Sequence, residues 1–207
     1  MKLRSNKLLG PEGQYPTWEE LYASEPVEEL PWYWELLDKD VARAIEDYPP
    51  PGKEVLDLGS GPGTQAAILA AKGWKVTASD LSASAVKEAT RRHAGHTIRF
   101  VVDDILRSAL SGPFDLIVDR GCFHVLNPES RSVYRQQVKQ LLAPEGLLYL
   151  KTFHYRESFG GGPHRFSPED IESIFGGEFR ICHSVETEFE GTLETSPLAL
   201  FTVLAKV

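Results

Sequence analysis

From Lys53 onward, short apolar runs alternate with amphipathic stretches, and most runs close on an acid. Residues 54–58 read as a strand, and residues 64–72 as a helix that stops at Gly73. Trp74–Ser79 is a second strand ending at Asp80, followed by a helix from a Ser82 cap through His93 to Gly95. Ile98–Val102 leads to Asp103 and Asp104, and Phe114–Val118 leads to Asp119. Pro128 opens a helix to about Leu142, and Leu147–Phe153 makes a fifth strand. Strands alternating with helices imply a mostly parallel sheet with helices on both faces. The end of the chain breaks the alternation. Ser167 and Pro168 start a short helix, then strands over about 179–190 and 198–207 are joined by a loop too short for a parallel crossover, so they pair antiparallel.

Before Lys53 the pattern differs. Residues 1–16 are polar and punctuated by Gly10, Pro11, Gly13 and Pro16, which predicts a mobile arm. Thr17 followed by Glu20 has the capping-box spacing ahead of Leu21 and Tyr22. Pro31 opens an expected helix over Trp32 to about Asp47, and Pro49-Pro50-Pro51-Gly52 stops it. Trp18, Trp32 and Trp34 either staple this extension to the sheet or roof a ligand pocket. The expected division is an N-terminal arm and helical lid over residues 1–52 and a ligand-binding domain over 53–207.

Composition narrows the function without naming it. A formal charge of −8 argues against a nucleic-acid groove, which needs clustered Lys and Arg. No run is apolar enough for a membrane span or a signal-peptide core, so a cytoplasmic protein is expected. Cys122 and Cys182 make neither a disulfide framework nor a metal cluster, and no metal is expected.

The chemistry begins at Val55-Leu56-Asp57-Leu58-Gly59-Ser60-Gly61-Pro62-Gly63-Thr64. A strand, a glycine turn and a helix form the first crossover of a nucleotide-type fold, and Asp80 lies where an acid can accept both ribose hydroxyls. Two details go against a dinucleotide. Thr64 stands where its fingerprint wants a third glycine, and Asp57 would repel a pyrophosphate while suiting a cation. S-adenosylmethionine carries a ribose diol, a sulfonium and an ammonium, and no phosphate.

With these residues the chain resembles the class I S-adenosylmethionine-dependent methyltransferases over roughly residues 53–207. Val55–Thr64 is similar to their first motif, Ser79-Asp80-Leu81-Ser82 to their second-strand acid, and Val102-Asp103-Asp104-Ile105 to their adenine-side acid. The resemblance implies a Rossmann-like, seven-stranded sheet of order 3-2-1-4-5-7-6 with its last strand pair antiparallel. It implies cofactor contacts from Asp57, Gly59, Ser60, Gly61, Gly63, Asp80, Leu81, Asp104, Ile105 and Asp119. Asp104 is preferred to Asp103 because a small apolar residue, Ile105, follows it.

Asp119-Arg120-Gly121, Asn127-Pro128 and Gly162-Pro163 further resemble the thiopurine S-methyltransferase and tellurite-resistance branch. That likeness implies a small-molecule acceptor, a thiol or other soft nucleophile foremost, and a monomer or homodimer. Methyl transfer is an in-line displacement governed by alignment, so the chemistry asks for positioning groups. Arg120 is a candidate cation beside a thiolate or anionic substrate, and His124 a candidate positioning group or base. Arg165 in the Gly160-Gly161-Gly162 loop, His154 and Tyr155 are weaker candidates, and Cys122 reads as a packed residue. The Asn/Asp-Pro-Pro-Tyr/Phe signature of DNA amino-methyltransferases is absent after strand four. A protein-lysine methyltransferase and a non-catalytic cofactor-binding module stay open.

Overall fold

A computed structural model describes residues 17–158 and 162–207. Residues 1–16, where the arm was expected, and Gly160 and Gly161 lie outside them. The strands are β1 (Glu54–Leu58), β2 (Lys75–Asp80), β3 (Ile98–Val102), β4 (Phe114–Arg120), β5 (Leu142–His154), β6 (Arg165–Phe166), β7 (Phe179–Glu188) and β8 (Leu198–Lys206). The helices are α1 (Trp18–Ser24), α2 (Lys39–Asp47), α3 (Thr64–Ala71), α4 (Ala83–Arg92), α5 (Arg131–Leu141) and α6 (Pro168–Phe175). The sheet runs β3-β2-β1-β4-β5-β8-β7, with the two-residue β6 beside the end of β5. Pairing is parallel from β3 to β5 and antiparallel for β5–β8 and β7–β8. The expected order holds, with β6 as an eighth, very short strand.

Alternation along the strands explains the two core layers. Leu56, Ile117, Leu148 and Leu150 face α5 and α6, while Val55, Leu116, Val118 and Tyr149 face α2 and α3. Each apolar side chain fully withdrawn from water contributes roughly 1.5–3 kcal/mol, which makes these layers the main stabilising mass. A third, separate cluster of Leu21, Val27, Leu30 and Tyr33 belongs to the N-terminal segment.

Three boundaries depart from the sequence expectation. The helix expected from Trp32 starts only at Lys39, because Asp38 caps it by accepting the Asp40 and Val41 N–H groups. Residues before it form a 3-10 turn at Val27–Glu29 and an irregular crossing. The helix from Pro128 is split into a 3-10 turn, Pro128–Ser130, and α5. β5 begins five residues before the expected Leu147, its first residue pairing with Phe114 across an irregularity in the ladder. Among the described residues no helix is long and apolar enough to cross a membrane.

Candidate active site

β1 delivers Asp57 to the carboxyl edge of the sheet, and the chain then turns through Gly59, Gly61 and Gly63 with φ of +68°, +51° and +76° before α3 begins. Gly61 needs its missing side chain twice over. Its φ lies in the left-handed region, and a methyl group there would come within 2.6 Å of the Tyr22 hydroxyl. The turn is stitched to β2 by the Ser60 N–H donating to the Ser79 carbonyl at 2.9 Å. Asp80 completes the stitch, accepting from the Gly61 N–H and the Ser82 N–H, each at 2.9 Å.

Several polar atoms here are buried without a protein partner: Asp57 Oδ2, Ser60 Oγ and Ser79 Oγ. Burial pushes the Asp57 carboxyl up to about 7, against the pull of the Ala66 N–H and Arg120. Burial also raises Asp80, although three backbone N–H groups oppose it. A cationic ligand with hydroxyls would satisfy this set: an ammonium at Asp57, hydroxyls at Asp80 and a bare backbone against Gly59–Gly63. The residues therefore fit S-adenosylmethionine, and the acidic surroundings disfavour a phosphate.

The other sequence candidates sit around this turn with different duties. Leu81 is exposed at the edge, 57% accessible. Asp104 accepts the Leu106 N–H at 2.9 Å and caps a 3-10 turn whose first residue, Ile105, is buried in the core. Asp103 accepts the Ala109 N–H, but its Oδ2 is buried without a partner. Asp119, expected on the cofactor side, has its carboxylate occupied by the turn after β4. It accepts from the Gly121, Cys122 and Phe123 N–H groups and from the Tyr134 hydroxyl at 2.5 Å. Burial holds it at about 6, with those donors pulling it down.

On the β4–β5 side the charges are spent on one another. The parallel register sets Arg120 beside Lys151. Asp38 Oδ2 accepts from Lys151 Nζ at 2.7 Å and from Arg120 Nε at 2.8 Å. Lys151 also donates to Asp40 at 2.6 Å, and Thr187 donates to the same carboxylate. Burial works against the charge on Asp38, yet Lys151 and Arg120 outweigh it and hold the carboxyl below its ordinary value. Arg120 further donates to the carbonyls of Trp32 and Glu190, tying two segments across the edge of the sheet. Arg120, expected as a substrate cation, is thus a strut.

His124 is buried, and its Nδ1 accepts the Phe153 N–H at 3.1 Å. The ring proton therefore sits on Nε2, which lies against Gly121, 3.0 Å from where a side chain at that glycine would start. Burial, with His164 and Arg120 nearby, drops its pKa to about 3. It is a neutral donor flanked by the rings of Phe153 and Phe189, at 4.9 and 5.5 Å between centroids. His154 is buried with its Nε2 3.4 Å from Glu186, and Tyr155 is exposed. Arg165 donates to the Glu157 carbonyl. Burial raises Cys122 well above the ordinary thiol value, consistent with a packed residue. Among the described residues no group of three or more His, Cys, Asp or Glu could hold a metal ion.

Sequence reading missed Asp38, Lys151, Glu19 and Tyr22. Lys151 carried a signal, since a lysine inside Leu147–Phe153 demands a buried counter-charge. The other three are placed by tertiary packing alone.

A family profile described as a methyltransferase domain matches residues 55–146, from β1 into β5. A protein of Arabidopsis thaliana named probable thiol methyltransferase 2 is 27% identical over 138 residues, covering 65% of this chain and 61% of the relative. A thiopurine S-methyltransferase of Vibrio campbellii is 37% identical over 73 residues, covering 35% of this chain and 34% of the relative. The chain thus spans less than two thirds of either. The solved structure of an S-adenosylmethionine-dependent methyltransferase from Anabaena variabilis superposes with a TM-score of 0.73 at 21% identity, over 92% of this chain and 93% of that one.

Proposed function

We propose, for a chain that belongs to the class I S-adenosylmethionine-dependent methyltransferases, that it methylates a small, soft nucleophile, a thiol above all. The observation that carries this reading is that, among the described residues, His124, Asp119 and Lys151 offer no free proton acceptor at the β4–β5 edge, and His154 Nε2 is buried beside Glu186. His124 has its acceptor nitrogen occupied by Phe153 N–H, and Asp119 is used up by the turn and Tyr134. Lys151 is a buried cation between two aspartates. An amine or phenol acceptor would need one of them to take its proton. A thiol needs none, because its pKa of about 8.5 already leaves a useful thiolate fraction in neutral solution.

When bound, S-adenosylmethionine supplies a methyl group on a sulfonium sulfur. The residues of this chain supply alignment. Gly59–Gly63 and Asp80 seat the nucleoside and amino-acid ends, and Arg120 braces the segments around Trp32 and Glu190 that border the β4–β5 edge. His124, its ring flanked by Phe153 and Phe189, carries an Nε2–H donor beside Gly121, suited to holding a neutral or weakly polar acceptor. The names of the Arabidopsis and Vibrio relatives support a sulfur acceptor.

The test is methyl transfer from labelled cofactor to a panel of thiols, selenium and tellurium oxyanions, phenols, amines and total lysate protein. Label is expected on thiols, with rates that follow the thiolate fraction of each acceptor. Label found solely on protein would replace this reading with a protein methyltransferase. Tight cofactor binding with no turnover on any acceptor would favour a binding module.

A further inference from the structure

The N-terminal segment is docked on the cofactor side of the sheet by polar contacts rather than by the main core. Glu19 of α1 accepts from the Ser82 hydroxyl at 2.7 Å, the Ser84 N–H at 3.0 Å and the Ser84 hydroxyl at 2.6 Å. These bonds, the Ser84 hydroxyl first, hold its carboxyl down at about 2. Glu28 pairs with Arg92 of α4, and Arg92 covers the Tyr33 ring. The segment's apolar residues pack on themselves, in the separate cluster of Leu21, Val27, Leu30 and Tyr33. α1 is therefore held on the start of α4 by a carboxylate latch.

The latch sets one side chain over the glycine turn. Tyr22 places its hydroxyl on Gly61 and accepts a hydrogen bond from Trp32 Nε1 at 3.1 Å. A phenol has one proton to give, and among the described residues nothing receives it. Burial and the nearby Asp80 keep that proton in place well above the ordinary tyrosine range. A buried donor with a spent acceptor side wants an acceptor on a ligand. The surroundings are acidic, with Glu19, Asp57 and Asp80 close by. Asp57 calls for the ligand's ammonium and Asp80 for its hydroxyls. The remaining acceptor that needs a partner here is the ligand's own carboxylate.

We infer that Tyr22 is a cofactor-binding residue, donating from the latched α1 to the carboxylate at the amino-acid end of S-adenosylmethionine. This rests on the cofactor assignment made above. It makes residues 18–33 a lid that completes the site, while α2 belongs to the sheet domain through Val41 and Ala44. Trp32 orients the hydroxyl, and Glu19 holds the helix that carries it.

Titration calorimetry with two ligands separates the contact from mere packing. S-adenosylhomocysteine has the amino-acid end, and 5′-methylthioadenosine lacks it. Tyr22→Phe keeps the ring and is expected to weaken S-adenosylhomocysteine binding about tenfold or more, the scale of a hydrogen bond to a charged group. Its binding of 5′-methylthioadenosine should match that of the unaltered chain. Trp32→Phe should show the same selectivity, several-fold in size. Glu19→Gln, which loosens the helix that carries Tyr22, should show the same selectivity and speed amide exchange in α1. Equal loss for both ligands in Tyr22→Phe, or no loss, overturns the inference while leaving the cofactor assignment intact. Failure of the unaltered chain to bind either ligand overturns both.

Discussion

Two buried aspartates, Asp57 and Asp38, are 3% and 0% exposed and have opposite fates. Asp57, under the glycine turn, keeps an oxygen without a partner, and burial raises it to about 7. Asp38, at the β4–β5 edge, meets two cations and two backbone N–H groups and is held ionised. One is an unfinished site that a ligand must complete. The other is finished architecture. The contrast extends to their surroundings: around the glycine turn the atoms left unmatched include a carboxylate oxygen, whereas at the β4–β5 edge the charges of Arg120 and Lys151 are matched internally and only Thr152 Oγ1 and His154 Nε2 of β5 go without partners. A site that holds a specific charged ligand leaves its complement written in unmet bonds.

The largest test of that contrast is Asp38→Asn. It leaves Arg120 and Lys151 short of a buried counter-charge and should destabilise the unliganded chain by about 3–5 kcal/mol in urea unfolding. A loss below about 1 kcal/mol, the value of a surface pair, would break the comparison.

Next comes the pH dependence of cofactor binding. Burial keeps the Asp57 proton on until about 7 in the unliganded chain, whereas an ammonium needs the ionised form. Binding below that pH releases a proton, so affinity should rise by up to about tenfold per pH unit toward 7 and then level off. The same shift works on stability with opposite sense. A carboxyl raised above its unfolded value stabilises the unliganded fold at low pH, and that contribution disappears as pH rises through about 7. Calorimetry between about pH 5 and 8 checks this, and Asp57→Asn should flatten most of the affinity slope, leaving what Asp80 contributes.

The smallest effect is the most pointed. Ser60→Ala removes a buried hydroxyl that has no partner, so unliganded stability should stay within about 0.5 kcal/mol or rise. Cofactor affinity should nonetheless fall several-fold, about 1 kcal/mol for one hydrogen bond. Equal affinity would show that the unmet hydroxyl is not there for the ligand.

The same contrast governs what the sequence made legible. β1, the glycine turn and Asp80 depend on local rules: a strand ending in an acid, positive φ at fixed spacing, an acid at the end of the next strand. The antiparallel ending was legible because a short loop permits nothing else. Trp32–Leu37 was read as helix because its apolar spacing is helical, but Gln65 binds the Asp38 N–H and the Leu36 carbonyl, pinning the segment in a crossing and leaving Asp38 to cap. By sequence alone Arg120 reads as a substrate cation, because its partner Asp38 lies 82 positions away. Asp119 was read as a ligand contact, while the groups that fill it include a tyrosine on α5. Partners brought together across the sheet leave no local trace.

The Asp38–Lys151 pair also carries a consequence for how the chain comes into being. The two residues are 113 positions apart, with the aspartate made first. During synthesis Asp38 emerges as a carboxylate whose counter-ion Lys151 does not yet exist. Arg120, made earlier than Lys151, offers half of the pairing, and only β5 brings the rest. The stretch around Asp38 thus gains its full set of partners only after β5 has been made.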